Sequence, residues 1–151
     1  MRVYLAAPYH RREELRGYRA ELQSGITKGR FVTVTSRWLN RDPALRISEA
    51  DLVAAPAVGR PFAQDDVEDV RSADLLVLFT EEVRNKHRGG CHVEFGLAIA
   101  YGKMLAVVGP RMNVFHTLGG VRHFHGGLNT PALRAEQGWR DCRDWILGGC
   151  K

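Results

Sequence analysis

The run Asp74-Leu75-Leu76-Val77-Leu78-Phe79 limits the possible folds of this chain more than any other stretch. Its apolar side chains do not alternate with polar ones, so a strand made from it must be covered on both faces. Strands of that kind belong to mainly parallel sheets, whose connections cross over through helices. The remaining sequence supplies both parts. Arg2 to Ala6 is a short apolar run stopped by Pro8, Phe31 to Thr35 is rich in β-branched residues, and Met104 to Val108 ends at Gly109-Pro110. Val121 to His125 reads as an edge strand. Between these runs lie helical patterns. His10 to Ser24 carries Leu15, Tyr18 and Leu22 at helical spacing, and Ala63 to Ser72 has an acidic face. Cys91 to Tyr101 ends at Gly102, and Pro131 to Leu147 starts with proline. From Arg37 to Arg60 there is only a short helix start at Ser48 to Leu52, with loop around it. Strands alternating with helices predict an α/β chain.

The expected architecture is a Rossmann/flavodoxin-like three-layer sandwich with a mainly parallel, about five-stranded sheet. A length of 151 residues suits one domain, residues 1–151, with a substantial core. No internal repeat or low-complexity tract interrupts it. The formal charge of +5 favours acidic partners but leaves nucleotides, nucleic acid and simple solubility open. Nucleic acid ranks last, because the chain has neither a concentrated basic helix nor an aromatic stacking platform. No apolar run reaches membrane-spanning length, and Met1 to Pro8 reads as a strand rather than a signal peptide. Cys91, Cys142 and Cys150 form neither a disulfide framework nor a zinc pattern, which points to a reducing cytoplasm. His123 and His125 lack a third ligand, so no metal site is expected.

Open parallel sheets bind ligands outside the carboxyl ends of their strands. That rule places Tyr9, His10, Arg11, Arg37, Arg88 and Asn113 around one cleft. The stretch Gly89 to Ala98 leads into the same cleft, as a paired-glycine turn followed by an apolar helix. Glu94 is expected within that helix's first turn, held ionised by the positive helix end. A carboxylate there suits a reaction that builds positive charge on a sugar carbon. It is equally well read as a favourable first-turn residue and nothing more. Asp65, Glu68 and Asp69 read as a solvated helix face, and Arg12 and Lys86 as parts of solvated basic loops. Asp74 reads as a strand anchor, and Cys91 as structural although a helix start favours thiolate.

Three blocks together resemble the nucleoside 2-deoxyribosyltransferase family, including relatives that hydrolyse nucleoside 5′-monophosphates. They are Val3-Tyr4-Leu5-Ala6-Ala7-Pro8-Tyr9, the segment Asp66 to Val77 with aspartates eight apart, and Gly90 to Gly96 running on through Ala100-Tyr101-Gly102-Lys103. With the run to Asn113 they organise most of residues 1–115. The resemblance implies that Glu94 is the nucleophile on C1′, that Asp66 is the acid beside the base, and that Tyr4 orients the nucleophile. It implies that Asn113 reaches a neighbouring subunit's site, and hence a homodimer or larger homo-oligomer. It implies no cofactor and no metal. The chemistry would resemble retaining glycoside hydrolysis with a base as leaving group.

One departure bears on the substrate. Relatives acting on free nucleosides carry a carboxylate six residues before the nucleophile, whereas this chain has Arg88. A guanidinium suits phosphate, and Arg88-Gly89-Gly90 at a helix start makes a cradle for it, with Arg11 adding charge. The expectation is therefore cleavage of the N-glycosidic bond of a nucleoside 5′-monophosphate in preference to a nucleoside, with the sugar passed to another base or to water. The alternative is a nucleotide-binding sensor on the same fold that does not turn over. The region from His116 onward matches nothing in the family.

Overall fold

The apolar run folds as the central strand of a five-stranded sheet. A computed structural model describes residues 1–25, 31–42, 47–81, 89–125 and 131–151. Its strands are β1 (Arg2–Ala6), β2 (Thr33–Val34), β3 (Leu75–Phe79), β4 (Met104–Val108) and β5 (Val121–Phe124). They lie in the order β2-β1-β3-β4-β5, and every neighbouring pair is parallel. All five residues of β3 are buried, as a strand covered on both faces requires. The chain moves one way from β1 to β2 and the other way to β3, so the strand order reverses between β1 and β3. A crevice opens at such a reversal, outside the carboxyl ends.

The helices are α1 (Arg12–Ser24), α2 (Glu49–Ala54), α3 (Arg60–Ser72), α4 (Gly90–Ala100) and α5 (Pro131–Leu147). On one face, Trp139 of α5 stacks on Tyr18 of α1 at 4.4 Å and meets Phe79 of β3 at 5.7 Å. The Trp139 indole N–H donates to Glu21 at 3.0 Å, so the buried ring also has its polar atom satisfied. On the other face, α3 and α4 pack against each other and both meet β1. The pleat aims Phe79 and Leu75 at one face and Leu76 at the other. Tyr4, level with Leu76 in the ladder, points with it toward α3 and α4.

Several boundaries differ from the sequence reading. The strand expected over Phe31 to Thr35 is only two residues long, and Phe31 is 74% exposed outside the ladder. α1 starts at Arg12, because Tyr9–Arg11 form a separate 3-10 turn. α3 starts at Arg60, with Pro61 in its first turn where the missing N–H leaves no bond unmade. Ser48 opens α2 through a reciprocal capping box with Asp51. Asp74 anchors the far end of the sheet, accepting the Arg2 N–H at 2.7 Å. Among the described residues no helix is long and apolar enough to cross a membrane.

Candidate active site

Tyr4, Asp66 and Glu94 meet on the α3/α4 face of the sheet, beside the middle of β1. Tyr4 is fully buried on β1, and its hydroxyl lies among acidic groups. Burial drives its pKa well up, and the charges of Glu94 and Asp66 push it further. The hydroxyl faces Glu94 without closing a hydrogen bond of good geometry, and is left with no partner that meets that standard. A buried hydroxyl in that state is an exception that calls for a reason.

The glycine pair starts the helix as expected, but Glu94 stands one step deeper. Gly89 takes a left-handed φ of 74° at the cap, a conformation glycine adopts without strain. Gly90 is then the first helical residue, so Glu94 is the fifth, and no acidic residue occupies the first turn. The helix dipole has largely faded there. Glu94 is part-buried, with a strip of exposed surface while protein encloses most of its carboxyl. Burial and then the neighbouring Asp66 charge push its pKa up to about 8. The expectation of an ionised Glu94 is therefore corrected: at neutral pH the free protein holds it mostly protonated. The same enclosure acts on Cys91, whose thiol is pushed up to about 11, so the thiolate favoured by a helix start does not form.

Asp66 carries the cation. Arg41 Nη2 donates to Asp66 Oδ1 at 2.7 Å and Nη1 to Oδ2 at 3.3 Å. Nη2 also reaches the Phe62 carbonyl at 2.9 Å, and the guanidinium lies 4.9 Å over the Phe62 ring. Burial raises the Asp66 pKa, and Arg41 opposes part of that rise.

The other expected residues take varied places. Arg11 is held by Glu14, with Nε and Nη2 at 2.8 and 2.7 Å from its oxygens, beneath the rim and over Phe79. Arg37 pairs with Asp65 at 3.0 Å and Asp69 at 2.7 Å, so its charge is spent on α3. The exposed Tyr9 accepts from Arg12 at 3.2 Å. His10 pairs with Glu81 at 2.8 Å across the rim. Asn113 caps its own 3-10 turn, accepting the Phe115 N–H at 3.0 Å. Arg88, Lys86 and His87 lie outside the described residues. Gly89 and Gly90 offer an open helix end with no side-chain cap.

Two assignments of solvated charge are corrected. Asp69 is 5% exposed and holds the turn after β2, accepting the Arg37 backbone N–H at 2.8 Å. Arg12 is 6% exposed and binds the Leu39 carbonyl at 3.0 Å, tying α1 to that same turn. Arg41 carries no motif that marks it in the sequence. Its signal was a spacing: Arg37 and Arg41 are four apart, and so are Asp65 and Asp69 beside Asp66. Two elements with matching charge intervals can face each other.

Among the described residues no group of three His, Cys, Asp or Glu could hold a metal ion. His116 is buried, accepts the Met112 N–H at Nδ1 (3.3 Å), and is kept neutral by burial at a pKa of about 4.

No protein-family model matches the chain, and no curated protein matches it. Among solved structures it is similar to a 2-deoxyribosyltransferase from the psychrotolerant bacterium Bacillus psychrosaccharolyticus, described as a biocatalyst for nucleoside synthesis. The two are 18% identical, with a TM-score of 0.56 over 97% of this chain and 96% of that one. At that identity the likeness establishes a shared fold.

Proposed function

We propose that the protein cleaves the N-glycosidic bond of a nucleoside, preferentially as its 5′-monophosphate, through a covalent glycosyl intermediate on Glu94. The observation that carries this reading is the convergence of Tyr4, Asp66 and Glu94 on the α3/α4 face, beside the strand-order reversal between β1 and β3. Mere binding does not need two carboxyls and a phenol forced together. Glu94 attacks C1′ as the base leaves, which neutralises the positive charge that develops on the sugar. Tyr4 sits beside the nucleophile and orients it, and Asp66 faces the departing base. The open end of α4 at Gly89 and Gly90 suits the 5′-phosphate, with Arg88 as its cation. The sugar then passes to another base or to water. The full-length fold shared with a 2-deoxyribosyltransferase supports the assignment.

A homodimer or larger homo-oligomer belongs to the same proposal. α4 is apolar nearly all round, leaving Val93 65% exposed, and Val114 and Phe115 beside Asn113 are 75% and 56% exposed. Such a surface is suited to covering by a second copy. The free cysteines fit a reducing cytoplasm.

The test is incubation with 2′-deoxynucleosides and their 5′-monophosphates, with and without a second base, following free base by chromatography. Base release from monophosphates, lost in Glu94→Gln, supports the reading. Base exchange on free nucleosides alone would overturn the phosphate preference. No release from any substrate would leave a nucleotide-binding sensor.

A further inference from the structure

Among the described residues the site brings together two carboxyls and one cation, and that cation is committed. Arg41 clamps Asp66 through both oxygens and is itself fixed by the Phe62 carbonyl and ring. Among the described residues no cation pairs with Glu94. The groups that act on Glu94 are Tyr4 from β1, Asp66 and Asp69 from α3, and Arg41 from the turn after β2. Arg37 is spent on Asp65 and Asp69. Two carboxylates in such a space do not both stay charged, as paired carboxyls elsewhere illustrate.

We propose that Arg41 is a positioning residue that fixes Asp66 as the charged member of the pair, so that the free enzyme stores one proton on Glu94, and that this proton is the one the departing base receives. The inference rests on the proposed reaction and deepens it. Its balance closes within the site. The C1′–N bond breaks with its electron pair going to the base nitrogen. A Glu94 oxygen forms the new bond to C1′. The Glu94 carboxyl proton passes to Asp66 and on to the base, which leaves neutral. No outside acid is consumed in this half of the reaction. The raised pKa of Glu94 agrees with the arrangement. Asp66, held in place by Arg41, acts as relay rather than as the store.

This reverses the sign of a measurable pH dependence. If Glu94 had to be ionised in the free enzyme, kcat/KM would rise as pH passes about 8. With the proton stored on the pair, kcat/KM falls there, because a doubly ionised pair has nothing to deliver. The experiment has two arms. The first is a carboxyl-carbon NMR titration of protein labelled at Asp and Glu, without substrate, assigned with Glu94→Gln and Asp66→Asn. Glu94 is expected to titrate near 8. It should drop by about one pH unit or more in Asp66→Asn, and the pair's apparent values should rise in Arg41→Gln, with Arg41→Lys restoring most of the shift. A Glu94 midpoint in the ordinary carboxyl range, or values indifferent to Arg41→Gln and Arg41→Lys alike, would overturn the proposal. The second arm is base release from 2′-deoxyadenosine 5′-monophosphate against pH. A limb falling above about 8 in the wild type supports delivery, and a limb rising through that pH overturns it. Absence of base release from every nucleoside and nucleotide tried refutes the proposed reaction and the delivery step with it. The titration still decides independently where the proton resides.

Discussion

Replacing Glu94 by glutamine should make the protein more stable at alkaline pH, by an amount that grows with pH. In the unfolded chain this carboxyl loses its proton near its usual 4.5, and in the fold it holds it to about 8. Between those values the folded state carries one proton more than the unfolded state. Stability therefore falls as pH rises across this window and levels off above it. The gap of about 3.5 pH units, at about 1.4 kcal/mol each, gives about 5 kcal/mol. The side chain keeps some exposed surface, so about 3 to 5 kcal/mol is the working range. Glutamine has nearly the same shape and does not titrate, so any fixed cost of the amide is constant in pH and cancels from the slope. Urea denaturation of both proteins at intervals from pH 5 to pH 9 measures the difference. It should widen by about 1 kcal/mol per pH unit up to about pH 8 and then hold. In thermal melts the widening should amount to on the order of 10 °C for a chain of this size. Parallel curves for the two proteins across that range would refute a protonated, enclosed Glu94.

Tyr4→Phe removes a buried hydroxyl that has no well-formed partner. It should leave stability unchanged or raise it by about 1 kcal/mol while slowing base release at least about tenfold, and a loss of stability in denaturant would contradict this. Gly109→Ala should destabilise by about 2 to 3 kcal/mol in urea. Gly109 has a φ of +114°, and an added Cβ would lie 2.6 Å from the Thr80 carbonyl oxygen. Trp139→Ala should lower the unfolding free energy measured in urea by about 3 to 5 kcal/mol, because it empties the stack that joins α1, α5 and β3. A loss under 1 kcal/mol there would mean that the stack is not part of the cooperative core.

The interior of the fold was legible because its strands have a one-dimensional signature. β4 begins and ends where the apolar run does, and β3 differs from its run only by Asp74, which turns out to anchor β1. The edge strand β2 was overread, because β-branched residues mark a preference while ladder length depends on how far the neighbour extends. The sequence marks Glu94 as a candidate, but not its depth in the helix or its protonation. A dipole can be read from a glycine pair, whereas desolvation depends on which elements close over the carboxyl. Arg41 and Asp69 escaped for a related reason. Each sits among charges and looks solvated in the sequence, and only the packing of α3 against the turn after β2 removes them from water. Arg12 shows the same in reverse, a helix-start cation that the Leu39 carbonyl draws inward.

The brevity of the two outermost strands has a consequence for how copies of this chain can meet. β2 presents two paired residues and β5 four. A visiting strand would find too few open backbone groups for a lasting hem-to-hem seam. Any assembly of copies is thereby steered away from endless stacking of sheets. The exposed Val93, Val114 and Phe115 lie outside both edge strands, and contacts made by side chains rather than by strand edges can close into a finite particle.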